Sequence, residues 1–510
     1  MVDRNHDTTT MTDDNKNSRH DTILRRVAII VSIVTVACVI WLFVFNGWNT
    51  IIPLKSKDND DPVIDVTGTS QPTKLSLTDS STSNILLGNV YSTLYTIKSD
   101  GSLKSDVLSG WKTENGGLRL VMTLKKGMKA SNGVSITPAV VVKSLHNNIQ
   151  GKYPHADVVS TAISRVETDG QNVVISLNHP MAILPLILAG PMGAIGTDGE
   201  TTVKPGDIST GPYSIQSFGN GSTKLLRNRN WSAKTPNSIT IKWTDEATAS
   251  EDLSTLKATH VLSYSGTGPS LKDPSKYKRV DGPGTNGVMI VYNSRATRPY
   301  PTSSDVRYRR GLTQSVDRNA LVGIIGNGLV ENGSPIPLGS VYRGGDDGSS
   351  LSYDRRQSAS ATSYFGSNPI RLLTPNDDGN TRQFITSSYR AVGQYVRSHG
   401  SSASIGDGDW DVALIDHQGF DLGQYIDGND LTGLEAPETS EAYDAVMNAG
   451  DEDSLKTAIA DLSSKLVQWS PGMWIGNYKD TLTARKTCTA PNPGMADVRL
   501  DLSGYSCSQS

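Results

Sequence analysis

Ser254-Thr-Leu-Lys257 has the S-x-x-K spacing that places a hydroxyl one helical turn from an amine able to take its proton, the arrangement of serine acyltransferases. The chain offers no K-T-G or S-D-N partner for it, and the sequence contains no H-E-x-x-H, no Walker A loop and no G-x-S-x-G. Asp407-Gly-Asp409-Trp-Asp411 begins like a calcium loop, but its sixth position is Val412 and its twelfth is Gln418, where Gly and Glu are needed, so it reads as a turn entering a strand. The eight histidines are scattered, without metal-ligand spacing, and no cofactor is implied. Of the three cysteines, Cys488 and Cys507 form an even pair near the C-terminus and read as a disulfide, with two free thiols as the alternative. Residue chemistry therefore points to binding and away from catalysis.

The elements that would position a binding site are strands and helices in alternation. Glu114-Asn115-Gly116-Gly117 is a hairpin turn, because Asn-Gly and Gly-Gly tolerate positive φ. Leu118, Leu120, Met122 and Leu124 follow at the strand period, with Arg119, Val121 and Thr123 on the wetter face. Asn132-Gly133 makes a second turn, and Thr137-Pro138 supplies an N-cap and a first helical residue for a helix running to Leu145. Strands are expected from Leu75, at 172–177, 239–243, 287–293, 370–373 and 410–415, with helices over 382–397 and 453–467. The apolar run 183–188 should pack between elements, and residues 305–325 read as two short helices whose charges make caps and salt bridges.

With 510 residues, 36% of them apolar and 19% charged, the chain is too long for one small domain and too polar for a multispanning membrane protein. A net charge of −3 without a basic stripe argues against nucleic acid as a partner. Residues 27–45 carry no charge and would form a helix of about 28 Å, close to the hydrocarbon thickness of a bilayer. Arg25 and Arg26 abut its start, which sets residues 1–26 in the cytoplasm and makes 27–45 a transmembrane signal anchor, single-pass, with the bulk of the chain extracytoplasmic. Acylation at Cys38 and cleavage at another site are the competing readings. Residues 46–73, with their Pro, Gly and charged stretches, read as an extracytoplasmic linker.

The run from Gly110 to Leu145 resembles the "W…DDG…TFxLRKGVKFxDGxPxTAxDV" segment of the family 5 extracytoplasmic solute-binding proteins, the oligopeptide and dipeptide receptors of ABC importers. Asn89-Val90-Tyr91, Thr210-Gly211-Pro212-Tyr213 and Asp305 to Arg318 are similar to further segments of that family, in its order, so the resemblance covers about 70–483. It implies an α/β, two-lobed periplasmic-binding-protein-like fold of the type II, large peptide-binding class, behind one N-terminal transmembrane helix. The first lobe would comprise 74–260, rejoined by 470–510, and the second 261–469.

The same resemblance implies the function: capture of an oligopeptide-like solute between two lobes and delivery to ABC permease and ATPase subunits. The family's ligand-facing Asp lies in a "GWxxDYxDP" segment, here replaced by Asp416-His417-Gln418-Gly419-Phe420-Asp421. Asp416 and Asp421 are thus the candidate partners of a peptide ammonium, and Tyr91 and Phe420 the candidate cleft aromatics. The departure from the pattern leaves open a non-transport envelope regulator or scaffold on the same fold, with an extracytoplasmic acyltransferase or hydrolase a more distant alternative.

Overall fold

The structure is a computed structural model that describes most of residues 61–508; outside the described residues lie 1–60, 70, 79–85, 98–101, 152, 154, 232, 234, 265, 294–304, 339, 341, 355–368, 375–378, 392–395, 400–409, 418–436, 492–499 and 509–510. Residues from Asn59 onward form one compact unit. Its large sheet is built from β1 (Val63–Thr67), β2 (Tyr213–Gly219), β3 (Ser222–Arg227), β4 (Ser238–Trp243), β5 (His260–Ser263), β6 (Tyr277–Tyr292), β7 (Leu329–Glu331), β8 (Ile370–Leu373), β9 (Val396–His399), β10 (Val412–His417) and β11 (Gly472–Arg485). Their order across the sheet is β2-β3-β4-β1-β5-β11-β6-β10-β8-β9, with β7 also paired to β11.

β1 lies inside the stretch expected to be linker, and this is a correction to the sequence reading. It pairs in parallel with β4 on one side and β5 on the other. Both of its faces are covered, so the strand shows no alternation of apolar and polar residues; instead it buries Asp65 between Ile64 and Val66. β5 likewise belongs to the first-lobe sheet, which therefore extends past residue 260.

A second, four-stranded antiparallel sheet is formed by 108–114, 119–124, 172–177 and 163–169, in that spatial order. Its first hairpin turns through Asn115, Gly116 and Gly117, all at positive φ, as the Asn-Gly-Gly run requires. Leu120, Met122 and Leu124 are buried as their spacing implies; Val121, expected on the wet face, is buried too. The helix that follows, α1 (Pro138–Gln150), begins where expected, with Thr137 Oγ1 accepting from the Val140 N–H, and runs one turn further than its sequence pattern indicated. It lays Val141 and Leu145 into the first-lobe core beside Ile64, Val66, Ile175 and Leu262.

In the second lobe β6 alternates strictly. Met289 and Val291 join one core with Trp474, Leu462 and Leu466, while Val288, Ile290 and Tyr292 join another with Leu312, Leu321 and Ile385. The sheet is thus sandwiched between α2 (Val306–Ser315), α3 (Arg318–Ile325) and α4 (Gly379–Ala391) on one side and α5 (Pro437–Met447) and α6 (Glu452–Trp469) on the other. The helix expected to reach Arg397 stops at Ala391, and Val396–His399 is instead the parallel edge strand β9, its Val396 buried. Run 183–188 does pack between elements, Ile183 touching the core of each lobe.

Two strands cross from lobe to lobe. β11 pairs with β7 in its middle, at Gly476 to Tyr478, and with β5 toward its end, and β6 follows it along nearly its whole length. The ladder between β6 and β11 shifts register between Pro283 and Gly287 and again between Val288 and Met289. Irregularities of this kind concentrate bending in the midst of otherwise continuous strands. The C-terminal segment then closes on the first lobe: Cys488 is bonded to Cys507, and the Asn89 amide donates to the Leu500 carbonyl at 2.7 Å.

Among the described residues no helix is long and apolar enough to cross a membrane, and the span at 27–45 lies outside them.

Candidate functional site

Parallel strands end together, and at the C-terminal ends of β1 and β5 the chain leaves the sheet through Gly68-Thr69 and Tyr264 to Gly268. In open α/β sheets this edge is where a crevice forms. The crossing strands run past the same edge, carrying Gly282, Pro283 and Gly284 on β6 and Tyr478, Lys479 and Asp480 on β11. From the second lobe comes the turn Gly326-Asn327-Gly328, whose Gly328 carbonyl accepts from the Lys479 N–H at 3.3 Å. Gly266 and Gly328 both hold positive φ, and their backbones touch. The two lobes therefore meet at a junction walled largely by backbone, where side chains are few and each is consequential.

Tyr478 and Asp480 stand out there. Asp480 is buried, and its Oδ1 is sealed from solvent without a hydrogen-bond partner. Burial pushes its carboxyl up to about 7. Tyr264 lies near enough to feel that charge; its phenol is raised mainly by its own burial and then by Asp480. Tyr478 is pushed up to about 12, by burial first and by the charge of Asp416 second. Neither Asp480, Tyr264 nor Tyr478 was singled out by sequence reasoning. The available signal was an acidic residue inside the strand Asn477-Tyr-Lys-Asp-Thr-Leu482, on the opposite face from Lys479 and the same face as Leu482.

The residues singled out from sequence fall in different places. Asp416 is exposed near the end of β10, opposite Val288, and lies within electrostatic reach of Tyr478. Tyr91 is buried in the first-lobe core among Leu87, Leu94 and Tyr153, with its backbone N–H donating to the Leu86 carbonyl. That position makes it a packing residue, because its ring is enclosed by core side chains. Phe420 and Asp421 lie outside the described residues. The structure thus brings Asp416 to the second-lobe side of the junction and leaves Tyr91 remote in the core.

Ser254 and Lys257 do not assemble into a nucleophile and its base. The Ser254 hydroxyl donates to the Glu251 carbonyl at 2.8 Å, and the Lys257 ammonium lies 3.7 Å from Asp252 and 4.0 Å from Glu251. The ammonium is thus engaged by carboxylates, and the Ser254 hydroxyl by a carbonyl, with no contact between the two.

His260 lies close to Cys488 and Cys507, all three buried, although the sequence puts no histidine near either cysteine. The sulfurs are already bonded to each other. The imidazole Nε2 donates to the Thr489 carbonyl at 2.8 Å, and burial lowers its pKa to about 4. His260 is therefore a neutral packing group under the disulfide.

Two lobes of α/β structure joined by a pair of crossing strands are the architecture of this chain. Residues 102–368, just over half of the chain, match the profile of the bacterial extracellular solute-binding proteins, family 5, middle region, and the chain belongs to that family. Solved structures share the fold over nearly their whole length. The oligopeptide-binding protein AppA of Bacillus subtilis, in complex with a nonapeptide, is similar at a TM-score of 0.70 and 15% identity, covering 89% of this chain and 100% of that one. NikA of Staphylococcus aureus, in complex with Ni(L-His)2, gives 0.68 and 16%, covering 88% and 100%. DppA of Helicobacter pylori, in complex with the peptide STSA, gives 0.70 and 14%, covering 89% and 99%. No curated protein sequence matches the chain.

Proposed function

We propose that this chain is the extracytoplasmic receptor of an ABC importer, held at the membrane by residues 27–45, and that it captures an oligopeptide-like solute between its lobes for a permease and its ATPase. The observation that carries the reading is the pair β6 and β11: two antiparallel strands common to both lobes, irregular where they cross, beside the C-terminal ends of β1 and β5. Such a joint lets one lobe swing against the other without breaking the ladder on either side, and closure excludes water from the solute. Similar folds hold a nonapeptide, the peptide STSA and a nickel–histidine complex, which sets the range of solutes to try. For the anchor, the support is the uncharged length of 27–45 and the arginines before it.

The test is the thermal unfolding of the full chain in detergent against di- to nonapeptides and nickel–histidine. A solute at 100 times its Kd stabilises the folded state by about 2.7 kcal/mol. The departure of 416–421 from the family pattern favours one second reading, an envelope regulator or scaffold on this fold. Absence of any shift across the panel would leave that reading standing and remove the receptor one.

A further inference from the structure

Asp480 has no partner among the described residues, although it retains only 8% of its surface and its Oδ1 has no contact with solvent. Glycines opposite it let the neighbouring strand pack against the carboxylate. Gly282 sits directly opposite on β6, and a Cβ added to Gly284 would fall 2.6 Å from Oδ1, so any larger residue there would displace the carboxylate. Tyr264, just past the end of β5, lies within electrostatic reach of it. The nearby cations are turned elsewhere: Lys479 is exposed, and Arg279 pairs with Asp281 at 2.8 Å and donates to the Thr267 carbonyl at 2.7 Å.

A fold that buries a carboxylate ordinarily supplies donors for it, because an unpaired one opposes folding. Among the described residues two buried carboxylates lack them: Asp65 lies inside the first-lobe sheet with Lys242 4.0 Å away, whereas Asp480 stands where the two lobes meet, next to the Gly266–Gly328 contact and one residue from the Lys479 bond to Gly328. We propose that Asp480 is an anchoring carboxylate for an organic cation of the solute, an ammonium or guanidinium group received at the lobe junction. This rests on the receptor reading given above and adds the charge class of what is received.

A carboxylate that lacks donors suits an organic cation, which donates charge-assisted N–H hydrogen bonds to it. It suits a metal ion poorly, since hard and borderline cations need several ligands. Among the described residues the metal-type cluster is His260 with the bonded Cys488 and Cys507, which is a different place.

The experiment uses the full chain in detergent and isothermal titration with four probes: N-acetyl-trialanine amide, trialanine amide with its free N-terminus, and N-acetyl tripeptide amides carrying one Lys or one Arg. The expected result is that at least one charged probe binds about tenfold tighter than the neutral one. The three charged probes separate terminal ammonium, side-chain ammonium and guanidinium as the source. In Asp480→Asn and Asp480→Ser that advantage disappears while the affinity of the neutral probe is unchanged. Asp480→Asn is also expected to raise the melting temperature of the ligand-free chain at pH 8, as removal of an unpartnered buried charge should. Charged probes that bind both variants as well as the native chain overturn the proposal and leave the receptor reading intact. If none of the four binds and the wider peptide and nickel–histidine panel is also silent, the receptor reading falls and takes the proposal with it.

Discussion

Gly266 of the first lobe and Gly328 of the second are in backbone contact: a Cβ on Gly328 would lie 2.4 Å from the Gly266 carbonyl oxygen, and one on Gly266 would lie 2.9 Å from the Gly328 Cα. Both residues also hold positive φ, +81° and +70°, which other residues adopt at a cost. The lobes can approach this closely only because neither residue has a side chain.

Gly328→Val is therefore expected to force the lobes apart and to destabilise the chain by about 2 kcal/mol or more, from the clash and the strained φ together. Small-angle scattering should show a larger radius of gyration than for the native chain, and solute affinity should fall. An unchanged radius and affinity would show that the contact does not hold the lobes together.

Stability should depend on pH in a way set by two buried carboxyls. Asp480 titrates at about 7 and Asp65 at about 6, in both cases because burial disfavours the charged form, with Lys242 partly offsetting the effect at Asp65. Below the ordinary carboxyl value of 3.8 both folded and unfolded chains are protonated, and the stabilising preference for the proton is fully present. As pH rises toward 7 the unfolded chain ionises first, so stability falls, reaching its lower plateau above about 7. For Asp480 the loss is on the order of 4 kcal/mol. In urea unfolding the native chain and Asp480→Asn should lie closer together in stability at pH 5 than at pH 8.

His260 acts in the opposite sense. Its pKa is lowered to about 4 by burial, so it favours folding above its ordinary 6.5 and loses that contribution as pH falls toward 4. Its ring sits 4.9 Å from that of Tyr505 and donates through Nε2 to a carbonyl, which fixes the tautomer. Nuclear magnetic resonance should find this imidazole neutral, with the proton on Nε2, and unchanged from pH 8 down to about pH 5. Titration near 6.5 would mean that the C-terminal segment does not cover it.

The scaffold was legible in the sequence where backbone chemistry dictates residue type. Asn115-Gly116-Gly117 needed positive φ, Thr137-Pro138 needed a cap and a residue without an N–H, and both lie where their types require. β1 was not legible, since a strand covered on both faces loses its alternation and Asp65 looked like part of a polar linker. Nor could β9 be separated from the helix before it, because Val392 and Val396 fit a helical spacing as well as a strand. The junction was the least legible part. Asp480 and Tyr264 come from segments more than 200 residues apart, and the relation between them exists only once β11 has paired with β5.

Arg309 is fully buried, and its guanidinium caps the end of α6: Nη2 donates to the Trp469 carbonyl at 2.7 Å and Nε to the Ser470 carbonyl at 2.9 Å, with the Trp469 ring 4.7 Å away. The end of a helix leaves carbonyls without partners and carries partial negative charge, so a cation there meets both needs. Burial nonetheless lowers its pKa to about 10, which leaves it charged at neutral pH. Arg309→Met keeps most of the volume but strands those carbonyls, and a cost of about 3 to 5 kcal/mol is expected in denaturant unfolding. Arg309→Lys should recover only part of it, because an ammonium cannot reproduce the planar fork or the stacking on Trp469. Equal stability of the Lys variant and the native chain would mean that charge alone, and not the fork, holds α6 against α2.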